Sequence, residues 1–519
     1  MIMSKGGVPL YCCYKSYGVT GIEAYQVQVE VDLSRGFPGF EIVGLPDAAV
    51  KESRDRVRAA MSTCGYPFPV GKIVMNLAPA AVKKTGPLYD VPILLAIMSA
   101  KGYLPEPGEK QAFLGELALD GRLRPVRGVL SMVLQAREDG IEEIFLPKAN
   151  AEEGAAVEGI RVYGAEHIND IIGHLNKENS LSPQEYRLLL TRAQEYPVDL
   201  KDVKGQALAK RALEVAAAGG HNLLFIGPPG TGKSMLAKRI PSILPPLTEK
   251  ECIETAKIQS VAGQLEHEGS LSVQRPFRAP HHTVSPAGLS GGGSNPMPGE
   301  VSLAHNGVLF LDELPEFSRQ SIEILRQPIE DGMVTISRAS SRVTYPCNVM
   351  VVAAMNPCPC GYLGHPTISC RCSDNAVNRY LSRVSGPLLD RMDIQVEVAP
   401  LEYSDLTAKT EEESSAQVRE RICKARAVQE ERFRGTATVC NAGMTPAQME
   451  QFCRSQLTED ASRRMAAAFD KMGLSARAHD RIMKVARTIA DLAGSEQIES
   501  RHLMEALQYR SLDRKYWRR

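Results

Sequence analysis

The sequence predicts an α/β protein whose core is a parallel β-sheet flanked by helices, with an α+β domain before it and a helical region after it. Apolar runs without alternation at 223–226, 308–311 and 349–354 indicate strands buried on both faces. Alternating apolar and polar residues at 24–32 indicate a strand with one buried face. After about residue 400 charged helical patterns replace the strand signal, which predicts an α-helical carboxyl-terminal part.

The length of 519 residues is enough for about three domains. We expect an amino-terminal domain at 1–175, the sheet-bearing domain at 199–400 and a helical lid at 401–519. The polar stretch between the first two, 176–198, contains Pro183 and is typical of a linker that leads into one helix at 184–195.

Composition is ordinary for a globular protein, with 43% hydrophobic and 24% charged residues. Lys plus Arg and Asp plus Glu both number 61, so any affinity for nucleic acid must come from local basic surface. The first residues predict no signal peptide, and no apolar run approaches the roughly 20 residues of a spanning helix. We therefore expect a cytoplasmic protein without a membrane partner, whose cysteines are reduced thiols or metal ligands.

A phosphate-binding loop follows the apolar run at 223–226 and precedes a helix-compatible stretch. Glycines let the backbone approach phosphates closely, the lysine can reach the β- and γ-phosphates of ATP, and the serine hydroxyl can ligate Mg²⁺. The residues of this loop are Gly227, Pro228, Pro229, Gly230, Thr231, Gly232, Lys233 and Ser234.

Polar residues at the ends of two further strands predict the rest of the nucleotide site. Asp312 and Glu313 follow the run at 308–311, and Asn356 follows the run at 349–354. Ligands of open α/β sheets lie at the carboxyl ends of the strands. We expect Asp312 to coordinate Mg²⁺, Glu313 to polarise the attacking water, and Asn356 to orient that water or sense the γ-phosphate.

These strands together describe a P-loop ATPase core of the ring-forming AAA+ type. Residues 385–394, SGPLLDRMDI, resemble the arginine-finger region of magnesium chelatases and replicative MCM helicases. The resemblance implies that Arg391 reaches the γ-phosphate of the neighbouring subunit. Residues 474–487, LSARAHDRIMKVAR, resemble the second sensor helix of the same proteins. The resemblance makes Arg477 the candidate for a γ-phosphate contact within its own subunit, with Arg481 as the fallback.

Four cysteines form a cluster directly after Asn356, as C-x-C, nine intervening residues, and C-x-C. Four thiolates are a ligand set of structural Zn²⁺ and leave no open position for catalysis. The residues leave two alternatives open, namely His365 in place of one thiolate and a reduced loop without metal. We favour a structural zinc that holds the loop in shape, bound by Cys358, Cys360, Cys370 and Cys372.

Over residues 20–510 the chain resembles the ComM/YifB group of magnesium-chelatase-like AAA+ ATPases. The segments that carry this resemblance are FPGFEIVGLPDAAVKES at 37–53, RAPHHTVS at 278–285, LRQPIEDG at 325–332 and the four-cysteine loop. The resemblance implies a hexameric ring, driven by ATP and Mg²⁺, that acts as a DNA helicase. In this family the ring promotes branch migration when single strands recombine into a chromosome during natural transformation.

The amino-terminal part resembles the proteolytic domain of Lon at 113–126 and 140–150. Lon needs a serine nucleophile activated by a lysine. The stretch KTGPLYDVP at 84–92 has Tyr89 or a neighbour where that serine should be, and GVLSMVL at 128–134 carries no lysine. We therefore expect a retained fold without proteolysis, used for assembly or for gripping DNA.

Two loops are candidates for contact with a polymer. Residues 286–299 are so rich in glycine that we expect them not to pack, which leaves a pore loop and a flexible surface connection as alternatives. Residues 332–345 alternate like a β-hairpin with Arg338 and Arg342 near its tip. Arginines there could pair with DNA phosphates, although two exposed arginines on a turn remain an alternative.

The leading prediction is thus a hexameric, ATP-driven DNA motor. One alternative is a chelatase-type motor in which the same ATPase drives metal insertion. Another is an ATPase that regulates a protein partner.

Overall fold

The computed structural model describes residues 11–186, 189–191, 196–265, 270–293, 296–338, 341–400 and 412–517. In chain order the strands are β1 (Tyr11–Thr20), β2 (Glu23–Ser34), β3 (Gly39–Val43), β4 (Lys72–Ala78), β5 (Gln111–Phe113), β6 (Glu116–Leu117), β7 (Leu123–Arg124), β8 (Glu143–Pro147), β9 (Arg161–Ala165), β10 (Leu189–Thr191), β11 (Leu223–Ile226), β12 (Ser270–Ser272), β13 (Phe277–Arg278), β14 (Gly291–Gly292), β15 (Met297–Pro298), β16 (Val308–Leu311), β17 (Met333–Arg338), β18 (Ser341–Pro346), β19 (Met350–Met355) and β20 (Ile394–Glu397).

The α-helices of the amino-terminal part are Ala48–Lys51, Ser53–Thr63, Asp90–Ala100, Val129–Glu138, Lys148–Ala155 and Ile168–Leu175. Those of the central part are Ala207–Gly219, Lys233–Ala237, Ile240–Ile243, Glu249–Ala262, Pro286–Ser290, Glu300–Leu303, Arg319–Ile324, Arg326–Asp331, Asp374–Leu381 and Gly386–Leu389. The carboxyl-terminal helices are Ser415–Arg432, Pro446–Met449, Glu459–Met472, Ala476–Leu492 and Ser500–Gln508, with π-helical turns at Glu450–Arg454 and Asp513–Trp517.

The chain forms two compact units, Met1–Arg192 with Glu249–Ser272, and Ala193–Thr248 with Val273–Arg519. Residues 249–272 thus belong to the first unit, although the sequence pattern predicts them as part of the 199–400 domain. The helix Glu249–Ala262 packs on the helix Val129–Glu138, and β12 pairs in parallel with β10. Local periodicity indicates a helix here but does not indicate which neighbour buries it.

The strand β10 also corrects the expected helix at 184–195. Residues 189–191 pair with β12 as a strand, so a continuous helix is wrong there. The positions 187–188 and 192–195 lie outside the described residues. Pairing with a segment about 80 residues away in sequence overrides a local helical pattern, as tertiary context often does.

The first unit contains a seven-stranded mixed sheet in the order β3-β4-β2-β1-β5-β8-β9. The alternation predicted for 24–32 is confirmed, because Val27, Val29 and Val31 of β2 are fully buried while Gln28 and Asp32 are exposed. The mostly apolar helix Asp90–Ala100 is buried along its whole length and packs on β1 and β2. The unit is therefore an α+β arrangement with its core between this sheet and its helices.

The second unit contains a five-stranded parallel sheet in the order β13-β16-β19-β11-β20. Every residue of β11, β16 and β19 is buried, which confirms the prediction of strands covered on both faces. The helix Ala207–Gly219 packs against the sheet and against the long helix Ala476–Leu492. The parallel sheet flanked by helices and the helical carboxyl-terminal region agree with the predicted fold class.

The carboxyl-terminal helices match the predicted helical patterns. The helix Ser415–Arg432 lies in the part after about residue 400 that was predicted to be helical, and residues 401–411 lie outside the described part of the chain. Arg487, only 2% exposed, and Arg432 both pair with the carboxylate of Asp491. The pair of Arg432 with Asp491 links the helices Ser415–Arg432 and Ala476–Leu492. Within the described ranges, no helix is both long and apolar enough to span a bilayer.

Candidate functional site

The phosphate-binding loop predicted at 227–234 connects β11 to the helix Lys233–Ala237. Gly230 and Gly232 have φ angles of 80° and 90°, a conformation that other residues adopt only with strain. Gly227 is glycine for another reason, because a Cβ there would lie 2.3 Å from the carbonyl oxygen of Val398. The loop therefore has the backbone geometry that a turn around phosphate groups requires.

Lys233 points into this loop and is 8% exposed. Its Nζ donates hydrogen bonds to the carbonyl oxygens of Gly227 and Pro228, both at 2.7 Å, and to Oδ1 of Asn356 at 3.1 Å. Burial lowers the pKa of Lys233 to about 8, and the carboxylate of Asp312 partly opposes that shift. A poorly solvated ammonium group gains more from an incoming phosphate than an exposed one does.

Ser234 and Asp312 are in direct contact. The Ser234 hydroxyl donates a hydrogen bond to Oδ2 of Asp312 at 2.6 Å, which joins the helix after the loop to the end of β16. Oδ1 of Asp312 accepts the backbone N–H of Glu313 at 2.9 Å. A hydroxyl and a carboxylate at this spacing are the hard oxygen ligands that Mg²⁺ prefers, so the donor set fits the ion.

Glu313 is held in an unusual backbone conformation, with φ of 51°. Such strain in a residue other than glycine persists only where its surroundings enforce it, and it concentrates at functional sites. The Glu313 side chain is 58% exposed, and its Oε2 lies 3.3 Å from Nδ1 of His282. His282 was predicted only as part of a family segment, and its contact with Glu313 was missed because nothing in local sequence connects it to the end of β16.

The predicted nucleotide-site residues thus meet at the carboxyl edge of the sheet. Two hydrogen-bonded pairs lie there, Lys233 with Asn356 and Ser234 with Asp312, and Glu313 follows Asp312 directly. Their separation in sequence is large, but the parallel pairing of β11, β16 and β19 brings the three strand ends together. The chemical roles assigned to them remain predictions.

The predicted sensor arginines lie at the opposite edge of the same sheet. Arg477 and Arg481 line a cavity of about 710 Å³ together with Asn222, Asn348 and Asp393, which precede β11, β19 and β20. Asn222 and Gly227 flank β11 at the two edges of the sheet, and five residues of extended chain span roughly 16 Å. A contact of Arg477 with a γ-phosphate bound in its own chain is therefore excluded by this arrangement, which corrects the expectation of a contact within the subunit. The fallback, Arg481, pairs with Asp393 at that edge and is excluded for the same reason.

Arg391 also lies at the amino-terminal edge, since its carbonyl oxygen accepts a hydrogen bond from Nδ2 of Asn222 at 3.1 Å. The side chain is only 5% exposed. Its guanidinium pairs with Glu330 at 2.5 Å and donates to the Pro387 carbonyl oxygen at 2.6 Å. Glu330 itself is 45% exposed, so the pair lies close to the surface.

The four predicted cysteines form one group in which all Sγ atoms lie within 4.8 Å of one another. Measured pairs are 3.4 Å for Cys358 and Cys360, 3.6 Å for Cys358 and Cys370, and 3.5 Å for Cys360 and Cys370. A tetrahedral Zn²⁺ with Zn–S bonds of about 2.3 Å separates its sulfurs by about 3.8 Å. A disulfide would need about 2.05 Å, so the spacing fits ligands around one ion.

His365 is not part of the cysteine group. Its Nδ1 accepts the backbone N–H groups of Thr367 and Ile368 at 3.2 and 3.0 Å, so this nitrogen stabilises a turn. The N–H of Cys372 instead points to Sγ of Cys370 at 3.5 Å, as expected for a thiolate that accepts backbone hydrogen bonds. The alternative ligand set with His365 therefore loses support.

The two candidate polymer loops have different structures. β17 and β18 form the predicted hairpin, in which Ser337 pairs with Arg342 and Arg342 is exposed. For Arg338 only the backbone is described. In the other loop, the expectation that 286–299 do not pack is wrong, because Leu289 is fully buried and β14 pairs with β15. The glycines permit this close packing, since a Cβ on Gly299 would lie 2.3 Å from the nitrogen of Gly291.

The position expected for a proteolytic serine in the first unit is occupied by buried groups. Tyr89 and Lys84 are both fully buried, and Lys84 Nζ donates to the carbonyl oxygen of Pro79. Neither side chain meets solvent, so neither offers a nucleophile or base to a substrate.

Three family models match most of the chain. The model described as magnesium chelatase, subunit ChlI, matches residues 199–406. A second, subunit ChlI of Mg-chelatase, matches residues 29–150, and the third, the carboxyl-terminal model of the same subunit, matches residues 412–510.

Full-length relatives narrow this assignment. The chain is 45% identical over 501 residues to competence protein ComM of Haemophilus influenzae, covering 95% of this chain and 96% of that protein. It is 44% identical over 498 residues to the protein YifB of Escherichia coli, with the same coverage. A shorter similarity, 30% over 159 residues, links it to Lon protease 2 of Thermus thermophilus and covers 28% of this chain and 19% of that protein. With its parallel sheet and its phosphate-binding loop, the chain belongs to the ComM/YifB family of magnesium-chelatase-like AAA+ ATPases.

Proposed function

We propose that this ATPase is a DNA motor, a hexameric ring helicase that promotes branch migration during DNA recombination and natural transformation. The observation that carries the proposal is a complete set of nucleotide-site side chains in a chain that aligns over 95% of its length with a protein named for competence. DNA, a hexamer and branch migration are the parts that experiment must test.

In this proposal ATP binds at the carboxyl edge of the sheet. The amides of 227–234 and the Lys233 ammonium contact its phosphates, and Ser234 and Asp312 hold Mg²⁺, which neutralises charge on the phosphates when bound. The Glu313 carboxylate accepts a proton from the attacking water, and Asn356 orients that water. His282 positions Glu313 through the contact at 3.3 Å.

The separation of the two sets of residues supports the proposal of a ring. One copy cannot use its own Arg391 and Arg477 at its own nucleotide, since these lie across the sheet from the phosphate-binding loop. A neighbouring copy whose amino-terminal edge faces that loop would supply them. Repeating such a head-to-tail contact generates either a closed ring or a filament, and the family resemblance favours a hexameric ring.

For DNA contact we propose the hairpin of β17 and β18. Arg342 is exposed there and could pair with backbone phosphates independently of sequence. Arg338 is the second candidate on the hairpin. The first unit, whose buried Tyr89 and Lys84 provide no protease dyad, would serve assembly or DNA gripping.

We also propose that Cys358, Cys360, Cys370 and Cys372 bind one structural Zn²⁺. The Sγ spacing of 3.4–3.6 Å supports this assignment. Measuring the zinc content of the purified full-length chain by elemental analysis tests it. About one ion per chain is expected, and a zinc-free protein that takes up no added Zn²⁺ would contradict it.

A chelatase-type motor that drives metal insertion is the second candidate, because the matching family model is named for magnesium chelatase. An ATPase that regulates a protein partner is the third. The 45% identity with ComM over 95% of this chain favours the DNA motor over both.

The deciding experiment measures steady-state ATP hydrolysis without DNA, with single strand, with duplex and with a four-way junction, at two salt concentrations. Stimulation by DNA that weakens with salt is expected, with the junction strongest. The Lys233→Ala variant, which should not bind ATP productively, serves as the negative control for hydrolysis. Robust hydrolysis that ignores all DNA would reject the motor and direct the search to porphyrin or protein partners.

A further inference from the structure

The segment that carries the four cysteines begins against the phosphate-binding loop. The carbonyl oxygen of Met355 accepts the N–H of Gly227 at 3.2 Å. Oδ1 of Asn356 accepts from Lys233 at 3.1 Å. Both ends of the phosphate-binding loop are therefore tied to the last residues before the first cysteine.

A third contact comes from inside the cysteine loop. Gly361 is buried, and a Cβ built on it would lie 2.5 Å from Cδ and 3.2 Å from Cγ of Pro229. The backbone of the cysteine loop thus lies directly on the proline ring at the centre of the phosphate-binding loop. Pro229 cannot move toward Gly361, and displacement of Gly361 would remove this support.

Packing alone does not fix the shape of the cysteine loop. Between 359 and 373, a stretch that the structure describes throughout, Gly361 is the one buried residue, and Ile368 is 45% exposed. A loop with so little apolar burial cannot offset the entropy of ordering its backbone. The cysteine group, which joins Cys358 and Cys360 to Cys370, is the feature that can hold Gly361 in place.

We propose that metal binding by the four cysteines sets the nucleotide affinity of the phosphate-binding loop, through the contact of Gly361 with Pro229. The inference rests on the zinc assignment above. The zinc is structural: it fixes the conformation of the cysteine loop and takes no part in hydrolysis, because four thiolates leave it no open position. Losing it would loosen the 358–372 loop, free Pro229 and disturb the Asn356 contact with Lys233.

The first test removes the metal from the full-length protein with a chelator and measures binding of a fluorescent ATP analogue. We expect the dissociation constant to rise roughly tenfold or more, and added Zn²⁺ to restore it. Cys370→Ser should behave like the metal-free protein, while Cys423→Ser, which lies outside the group, should match the wild type. If folded protein without zinc binds the ATP analogue with an unchanged dissociation constant, the coupling between zinc and nucleotide binding is rejected. The assignment of the zinc site would still stand.

The second test keeps the metal and breaks only the contact. Gly361→Ala should retain one zinc per chain and lose nucleotide affinity, because the new methyl group collides with the Pro229 ring. Gly364→Ala is the matched control, since Gly364 has a similar φ of 79° but has no atom within 4 Å of a built Cβ. Both substitutions carry the same backbone strain, so only the collision distinguishes them.

The outcomes separate the two proposals. Equal affinities in Gly361→Ala and Gly364→Ala would reject the role of Pro229. A protein that never holds zinc would reject the metal site first, whatever its nucleotide affinity. The proposal is supported if Gly361→Ala holds a full complement of zinc but binds nucleotide weakly, while Gly364→Ala binds nucleotide normally.

Discussion

The Ser234 hydroxyl donates a hydrogen bond to Oδ2 of Asp312 at 2.6 Å, across 78 positions of sequence. This bond joins the helix after the phosphate-binding loop to the neighbouring strand β16, and it fixes the two side chains proposed to hold Mg²⁺. Lys233, in the same loop as Ser234, donates a hydrogen bond to Asn356 just after β19. The site is therefore built from residues at the ends of three strands.

Ser234→Ala removes the hydroxyl of this pair. We expect the Mg²⁺ concentration for half-maximal ATP hydrolysis to rise about tenfold, because the ion has one oxygen ligand fewer. Titrating Mg²⁺ at saturating ATP measures it. Ser242→Ala, in the same unit but away from the loop, should leave that concentration unchanged, and an equal rise in both variants would contradict the assignment.

Lys233→Ala and Glu313→Gln should separate binding from hydrolysis. Lys233→Ala removes the buried ammonium and should weaken binding of an ATP analogue. Glu313→Gln keeps the shape of the side chain but removes its basicity, so it should bind ATP normally and hydrolyse it about a hundredfold or more slowly. Turnover by Glu313→Gln equal to that of the wild type would remove Glu313 from its proposed role.

The lowered pKa of Lys233, about 8, predicts a pH dependence of ATP affinity. Below pH 8 the ammonium is already charged; above it, the free protein must take up a proton to bind phosphate. Affinity should therefore fall as the pH rises through about 8, by at most about tenfold per pH unit. Calorimetry in buffers of different ionisation enthalpy should register the proton uptake near pH 8.

The control for this titration is Lys233→Arg, because a guanidinium stays charged throughout the range. Its affinity for ATP should be weaker but flat between pH 7 and 9. The same fall in Lys233→Arg as in the wild type would assign the pH dependence to another group.

Mixed oligomers can test whether Arg391 and Arg477 act on a neighbour. Glu313→Gln and Arg391→Ala should each be nearly inactive alone, and the latter should still bind ATP. In an equal mixture, about a quarter of the interfaces would combine an intact nucleotide site with an intact arginine, so activity should recover to about a quarter of wild type. The same experiment with Arg477→Ala tests the second arginine.

If either arginine acted within its own chain, mixing would only average two inactive proteins. Glu330→Gln adds a further check, because it removes the partner that holds Arg391 at 2.5 Å. We expect it to keep or raise turnover if Arg391 must leave Glu330 to reach a neighbour. A loss as large as that of Arg391→Ala would instead mean that Glu330 positions the arginine.

Arg342→Ala should lower the affinity for DNA and make that affinity less dependent on salt concentration. Removing one arginine–phosphate pair lowers the slope of log affinity against log salt by about 0.7 for single strands. Fluorescence anisotropy with labelled single strands over a salt series measures the slope. Arg434→Ala, which removes an exposed arginine just after the helix Ser415–Arg432, should keep the wild-type slope. Equal slopes in the wild type and both variants would exclude the hairpin arginine.

Local pattern was a good guide where one physical requirement dominates the sequence. The runs at 223–226, 308–311 and 349–354 correspond to strands buried on both faces. A strand covered by helices on both sides has no solvent-exposed face, so its residues are all apolar. The cysteine spacing likewise indicated a group that the structure brings together. Pattern misled at 184–195, where pairing with a distant segment decides the structure. It also misled at 286–299, where β14 pairs with the nearby β15 and Leu289 is buried.

By itself, then, the sequence determined the fold class, the family and the identity of the phosphate-binding loop, since glycines, lysine and apolar runs act over a few neighbouring residues. Only the tertiary structure decided which side chains meet. It put Ser234 on Asp312, His282 beside Glu313 and Gly361 on Pro229, and it put Arg477 across the sheet from the nucleotide site. Those distances depend on the order and direction of the strands, which no local pattern encodes.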